Sequence, residues 1–192
     1  MPATMQSSER TGSVWPVMWV LSVVALLTAC ATPARVEQMT VAAADSTRTA
    51  VASTSMREAI TLGQVGGGKE TNPLWISNIS SADFEGALQA SLQSAQLLAP
   101  IGRACRMTLT AQLLSLAQPA MGLDMTVTAS VLYTLVDCST KKEVWVNTIT
   151  LPYTAAFSDS LIGVERLKLA NEGAARVNIR KLVELLAAFE PR

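Results

Sequence analysis

The chain contains no histidine. That gap removes the usual general base, the usual zinc ligand and the usual switch near neutral pH. With it go the Ser-His-Asp and Cys-His arrangements for nucleophilic catalysis. Excess charge is lacking as well, with 15 basic against 15 acidic residues, so there is no electrostatic argument for binding nucleic acid or anionic headgroups. Paired carboxylates are also missing. Asp83 and Asp159 read as helix caps, and Asp124 lies on the polar face of a strand. Ser139 and Lys141 share a turn, which leaves a Ser-Lys arrangement open, although exposed turns of this kind are common. No metal, no cofactor and no enzymatic activity are expected. Cysteines are few and odd in number, at three.

The long apolar run that is present ends at one of those cysteines. Residues 14–30 read Val-Trp-Pro-Val-Met-Trp-Val-Leu-Ser-Val-Val-Ala-Leu-Leu-Thr-Ala-Cys. Pro16 leaves a clean helical stretch from Val17 to Ala29, of the length of a signal h-region and short for a membrane span. No basic stop-transfer cluster follows, since Ala31-Thr32-Pro33-Ala34 precedes a single Arg35. The ending Leu27-Thr28-Ala29-Cys30 resembles the lipobox of bacterial lipoproteins. There the small residues admit an extended backbone to a peptidase, and the cysteine thiolate takes a diacylglycerol and becomes the new N-terminus. Residues 1–29 are thus expected to be a lipoprotein signal peptide and Cys30 the lipidation site. An uncleaved anchor and an ordinary signal peptide are the alternatives. Ala31 is not the acidic retention residue of enterobacterial lipoproteins, which implies the outer membrane, facing the periplasm.

If Cys30 is acylated, Cys105 and Cys138 remain as an even pair in an oxidising compartment, which reads as a disulfide. Two buried free thiols are the alternative. Roughly 160 residues follow the signal, enough for one domain with a real core. Residues 30–55 are small and polar, with Val41 and Val51 isolated. They are expected to form a flexible tether spanning roughly 25–30 Å, with a short strand around Met39–Ala44 as the alternative. Residues 56–190 are expected to form one globular domain.

Met56–Val65 holds a first strand. From Gly63 the chain matches seven places of a P-loop, but the eighth is Glu70 where Ser or Thr should reach Mg²⁺, and Asn72-Pro73 breaks the helix that should follow. A flexible loop is expected and a nucleotide is not. Ser80-Ser81-Ala82-Asp83 reads as a capping box. Behind it Phe84, Ala87, Leu88, Ser91, Leu92, Ala95 and Leu98 recur at helical spacing, with an end near Pro100 and Gly102. Three strands follow. Met107–Leu113 alternates apolar with polar. Leu123–Leu135 does so over a dozen residues, and Trp145–Tyr153 less cleanly. A last helix, capped at Ser158 or Asp159, runs to about Ala188. Leu161, Val164 and Leu167 open its apolar face, with Arg166 and Glu172 opposite. Asn171 and Asn178 sit inside the apolar stripe and need neighbouring polar partners. The fold class is α+β: two layers, a mostly antiparallel sheet in chain order β-α-β-β-β-α, both helices on one face.

Two candidate features follow from this arrangement. A hairpin turning near Met121 puts Cys105 and Cys138 opposite or nearly so at its open end, within disulfide reach. Closing that loop stabilises by roughly 3 kcal/mol, less any strain. The short row Thr126, Thr128, Ser130 and Thr134 lies on the outer sheet face, either plain solvated surface or a flat face for a partner.

The stretches Thr71-Asn72-Pro73-Leu74-Trp75, Ser81-Ala82-Asp83-Phe84, Gln118-Pro119-Ala120-Met121-Gly122-Leu123-Asp124 and Glu165-Arg166-Leu167-Lys168-Leu169-Ala170-Asn171-Glu172 resemble those of small uncharacterised envelope lipoproteins of Gram-negative bacteria. The likeness spans roughly residues 57–188 and implies no activity and no binding residues. The element order is also similar, in architecture only, to periplasmic lipoprotein domains that act as auxiliary subunits or activators of envelope machines. The expectation is a non-catalytic lipoprotein, membrane-held through its lipid, that supports an envelope protein partner. A carrier of a small apolar ligand such as a lipid is the first alternative, and an envelope enzyme the second.

Overall fold

The computed structural model describes residues 31–42, 55–73 and 76–190. The expected signal peptide, Cys30, and residues 43–54 of the expected tether lie outside the described residues. Strands β1 (Ile60–Gly66), β2 (Met107–Ala117), β3 (Met125–Asp137) and β4 (Glu143–Ala155) form one sheet in that spatial order. Among the described residues the α-helices are α1 (Val36–Met39), α2 (Ser81–Ser94) and α3 (Gly163–Ala187). The fold is α+β with a mostly antiparallel sheet. β2, β3 and β4 form an antiparallel meander, and β1 runs parallel to β2 because α2 returns the chain between them.

β3 is the spine of the sheet. Met125, Val127, Ala129, Val131, Tyr133 and Leu135 are buried beneath the helices, while the residues between them point to the other face. A period of two allows nothing else when one face is covered. α2 lays Phe84, Ala87, Leu88 and Leu92 into the core. Ser80 Oγ accepts the Asp83 amide at 3.1 Å, the N-cap half of the expected box, while the Asp83 carboxylate accepts the Ser80 hydroxyl at 2.7 Å rather than its backbone amide. α3 packs along β3 and β4. It comes closest at Gly173, where an added Cβ would run into the ring of Tyr153.

Four local expectations are corrected. α3 starts at Gly163, three to four residues later than a cap at Asp159 or Ser158 would place it. Asp159 instead caps a 3₁₀ turn over Phe157–Asp159 by accepting the Ala156 amide at 2.9 Å. Leu161 therefore lies outside the helix and is exposed, while Arg166 and Glu172 are buried. The glycine run after β1 is no loose loop. Gly67 has a positive φ and passes against the Leu113 carbonyl, and Gly68 lies against the backbone of Ile79–Ser81, so neither position has room for a side chain. The Gly68 amide donates to Ser81 Oγ at 3.0 Å.

The fourth correction concerns the tether. Residues 31–42 form a packed arm. Ala31, Ala34, Met39 and Val41 are buried, and α1 lies against both α2 and α3. The Ala31 amide donates to the Pro73 carbonyl at 2.9 Å, Ser77 Oγ donates to the Thr32 carbonyl, and the Val41 amide donates to Ser91 Oγ. No strand forms at Met39–Val41. The arm's own apolar residues are too few for a core, but α2 and α3 supply the rest.

Candidate functional site

The helices cover one face of the sheet and, among the described residues, nothing covers the other. Thr126, Thr128, Ser130 and Thr134 stand on this open face in one row of β3. Thr126 and Ser130 exchange hydroxyl hydrogen bonds with Thr154 and Thr150 of β4, each at 2.8 Å. Thr128 faces Pro152, and Thr134 faces Val146. The structure thus brings the row together and fixes it. It also adds apolar neighbours, since Leu132 and Val136 share the row and exposed Val146 sits beside it. These were missed because a polar outer row reads as solvated. The signal available was the apolar identity of Leu132 and Val136 at outward positions.

At one end of the sheet the structure joins Cys105 to Cys138, with Cα atoms 5.9 Å apart. The ladder pairs Met107 with Asp137, and the Cys138 amide donates to the Arg106 carbonyl. The hairpin is thus centred nearer Gly122 than Met121, and the cysteines meet diagonally. Thr108 Oγ1 lies 3.2 Å from Cys138 Sγ.

Beneath the sheet the two asparagines of α3 find partners. Asn178 accepts the Tyr133 hydroxyl at 2.9 Å and donates to the carbonyls of Ala129 and Ile149. Burial pushes the Tyr133 phenol above its ordinary pKa, so it remains a donor. Asn171 accepts from Gln118 at 2.9 Å and donates to the Ser77 carbonyl at 2.8 Å. Glu172 is the hub of the arm, accepting the Arg35 backbone amide and both ends of its guanidinium fork at 2.9 Å. That pairing raises the Arg35 pKa. These polar groups build the fold and spend their hydrogen bonds inside it.

The opposite end from the disulfide gathers the turns after β1, between β2 and β3, and before α3. A groove of about 470 Å³ opens there, lined by Lys69, Ile76, Asn78, Leu114 and Gln118 among others. Arg166 ties the turns together. Its guanidinium donates to the Ser160 and Gly122 carbonyls and lies 5.2 Å from the centre of the Phe157 ring. Asp124 accepts the Phe157 amide at 2.9 Å. Among the described residues no three His, Cys, Asp or Glu side chains are grouped to hold a metal. No described helix is long and apolar enough to cross a membrane.

No family model matches the chain, and no curated protein is detectably similar. Solved structures do resemble it. A Xanthomonas campestris protein of the DUF330 family superposes with a TM-score of 0.51 at 12% identity, covering 67% of this chain and 83% of its own. A candidate lipoprotein from Caulobacter crescentus gives 0.47 at 15%, covering 74% and 93%. A Neisseria meningitidis lipoprotein gives 0.27 at 17%, covering 59% and 76%. At these identities the likeness to the Xanthomonas protein is one of fold.

Proposed function

We propose that the protein is a non-catalytic lipoprotein, anchored through Cys30 in the outer membrane, that holds or supports an envelope protein partner on its open sheet face. The observation that carries the partner reading is that face. A four-stranded sheet presents a fixed row of short hydroxyl side chains flanked by Leu132, Val136 and Val146, with no element among the described residues laid over it. Exposed apolar area of this kind commonly marks an interaction surface. The filled core favours a partner over an apolar cargo. Met39, Met56, Leu92, Leu109 and Tyr133 are fully enclosed between sheet and helices, and the groove near Lys69 is open and partly polar. The anchor rests on Leu27-Thr28-Ala29-Cys30.

The test has two arms. Cys30→Ser should abolish labelling by a fatty-acid probe and block maturation, and unchanged labelling would refute the anchor. Thr128→Lys should leave the melting temperature almost unchanged while lowering capture of a crosslinked envelope partner in cells. Equal capture would return the row to plain solvated surface.

A further inference from the structure

The chain enters its folded body at Ala31, one peptide bond after Cys30. Ala31 is buried and its amide is bonded to Pro73, so no slack separates the two residues. Adjacent Cα atoms are only about 3.8 Å apart. An acylated Cys30 lies at the headgroup level, and it must bring Ala31 and the surface around it there too. Topology identifies that surface. β1 and β2 end there, β3 begins there, β4 ends there, and α2 and α3 both start there. Thr32 accepts the Ser77 hydroxyl and the Lys168 ammonium, which fixes the arm to the same end.

Among the described residues, this end also carries most of the exposed large apolar side chains. Of the ten exposed large hydrophobic residues among the described ones, six lie on its turns: Ile76, Met121, Leu123, Phe157, Leu161 and Ile162. Met121 and Leu161 are 84% and 77% exposed. Turns are ordinarily polar, and apart from Phe157, whose ring meets the Arg166 guanidinium, these side chains are left exposed. They are also not loose, because Arg166 and Asp124 lock the β2–β3 turn to the segment before α3. The ionic residues nearby are of both signs, so contact would come from apolar insertion rather than charge.

From this juxtaposition we infer that the turn end of the domain sits in the lipid surface, with Met121, Leu123, Phe157, Leu161 and Ile162 inserted at the headgroup–acyl boundary. The inference rests on lipidation of Cys30. It replaces a domain swinging on a tether with one seated upright, disulfide end away from the membrane.

The experiment uses the full chain, matured in a bacterial envelope, extracted in detergent and reconstituted into phosphatidylethanolamine–phosphatidylglycerol vesicles. Leu161→Cys, Met121→Cys and, at the opposite end, Ile101→Cys each add a single free thiol when Cys105–Cys138 is bonded and Cys30 acylated. An environment-sensitive dye is attached to each, and melting curves check that each variant is folded. Dyes at 161 and 121 should shift to the blue, brighten severalfold and be quenched by a spin label carried on the lipid acyl chains. The dye at 101 should do none of these. Acylated protein whose dyes at 161 and 121 respond like the one at 101 overturns the seat and leaves the anchor standing. A blue shift at 161 without lipid-borne quenching, in protein that runs as an oligomer, overturns it in favour of a second copy. Mass spectrometry showing no lipid on Cys30 overturns the anchor and the seat with it.

Discussion

Asp137 shows how a single exposed side chain can set a turn. Its Oδ1 accepts the amide and hydroxyl of Ser139 and the amide and hydroxyl of Thr140, at 2.6–3.0 Å. The Ser139 hydroxyl is the chief cause, followed by the Thr140 bonds, of a pKa that falls from the ordinary 3.8 to about 2. A carboxyl whose folded pKa is depressed lends its stabilisation above the unfolded pKa and loses it as pH falls through the folded one. The turn 137–142 should therefore hold at neutral pH and loosen as pH falls from about 4 to about 2. Amide chemical shifts of Ser139 and Thr140 should titrate about the folded value near 2, and Asp137→Asn should remove the transition. Amides that stay still down to pH 2 would contradict the assignment. Asn171 and Asn178 were legible at this scale, because an amide inside an apolar stripe demands partners. Which partners it finds was not, since Tyr133 and Gln118 lie some fifty residues away in the chain.

Among the elements, α3 is the one most constrained by its neighbours. Its stretch Ala170–Ala175 is buried throughout, with β4 on one side and the arm near the other. Gly173 permits the approach, so Gly173→Ala should press a methyl group into the Tyr153 ring. Overpacking outweighs the gain in helix propensity and should cost about 1–2 kcal/mol. The melting temperature should fall, and Tyr153→Ala should remove the penalty of the added methyl. A rise in melting temperature for the single change would show that the ring yields freely. β3 was the plainest element to read, because alternation from Met125 to Leu135 is long enough to exclude a helix. The start of α3 was not, because Asp159 caps a 3₁₀ turn with the same chemistry that caps an α-helix. The arm escaped for a different reason. Met39 and Val41 are ordinary residues locally, and their burial depends on grooves that α2 and α3 supply.

At the scale of the whole molecule Arg35 is the arm's charged anchor. The Glu172 carboxylate is buried and meets the guanidinium fork at 2.9 Å. Arg35→Ala leaves that carboxylate without its counter-charge. Because the Arg35 side chain is 44% exposed, solvent recovers part of the loss, and about 1–3 kcal/mol is expected. The arm should release more readily than the sheet melts, so limited proteolysis should cut between residues 31 and 42 while the rest of the domain persists. Arg35→Lys should restore only part of the protection, because an ammonium cannot reproduce the fork. An arm as resistant as that of the parent would shift the weight to Met39 and Val41.

The Arg35–Glu172 latch joins residues 137 positions apart, and this separation has a consequence for timing. A contact so distant in sequence forms late, after the entropy of closing the intervening loop has been met. In a chain that emerges N-terminus first, the arm is the first piece of the domain to appear and the last to find its seat. Until Glu172 has followed, the arm has only its contacts to Pro73, Ser77 and Ser91 and lacks the latch that completes its seat. If Leu27-Thr28-Ala29-Cys30 is processed as proposed, the peptidase would find it accessible in that interval. Once α3 docks, Ala31 is drawn into the body and the opportunity closes.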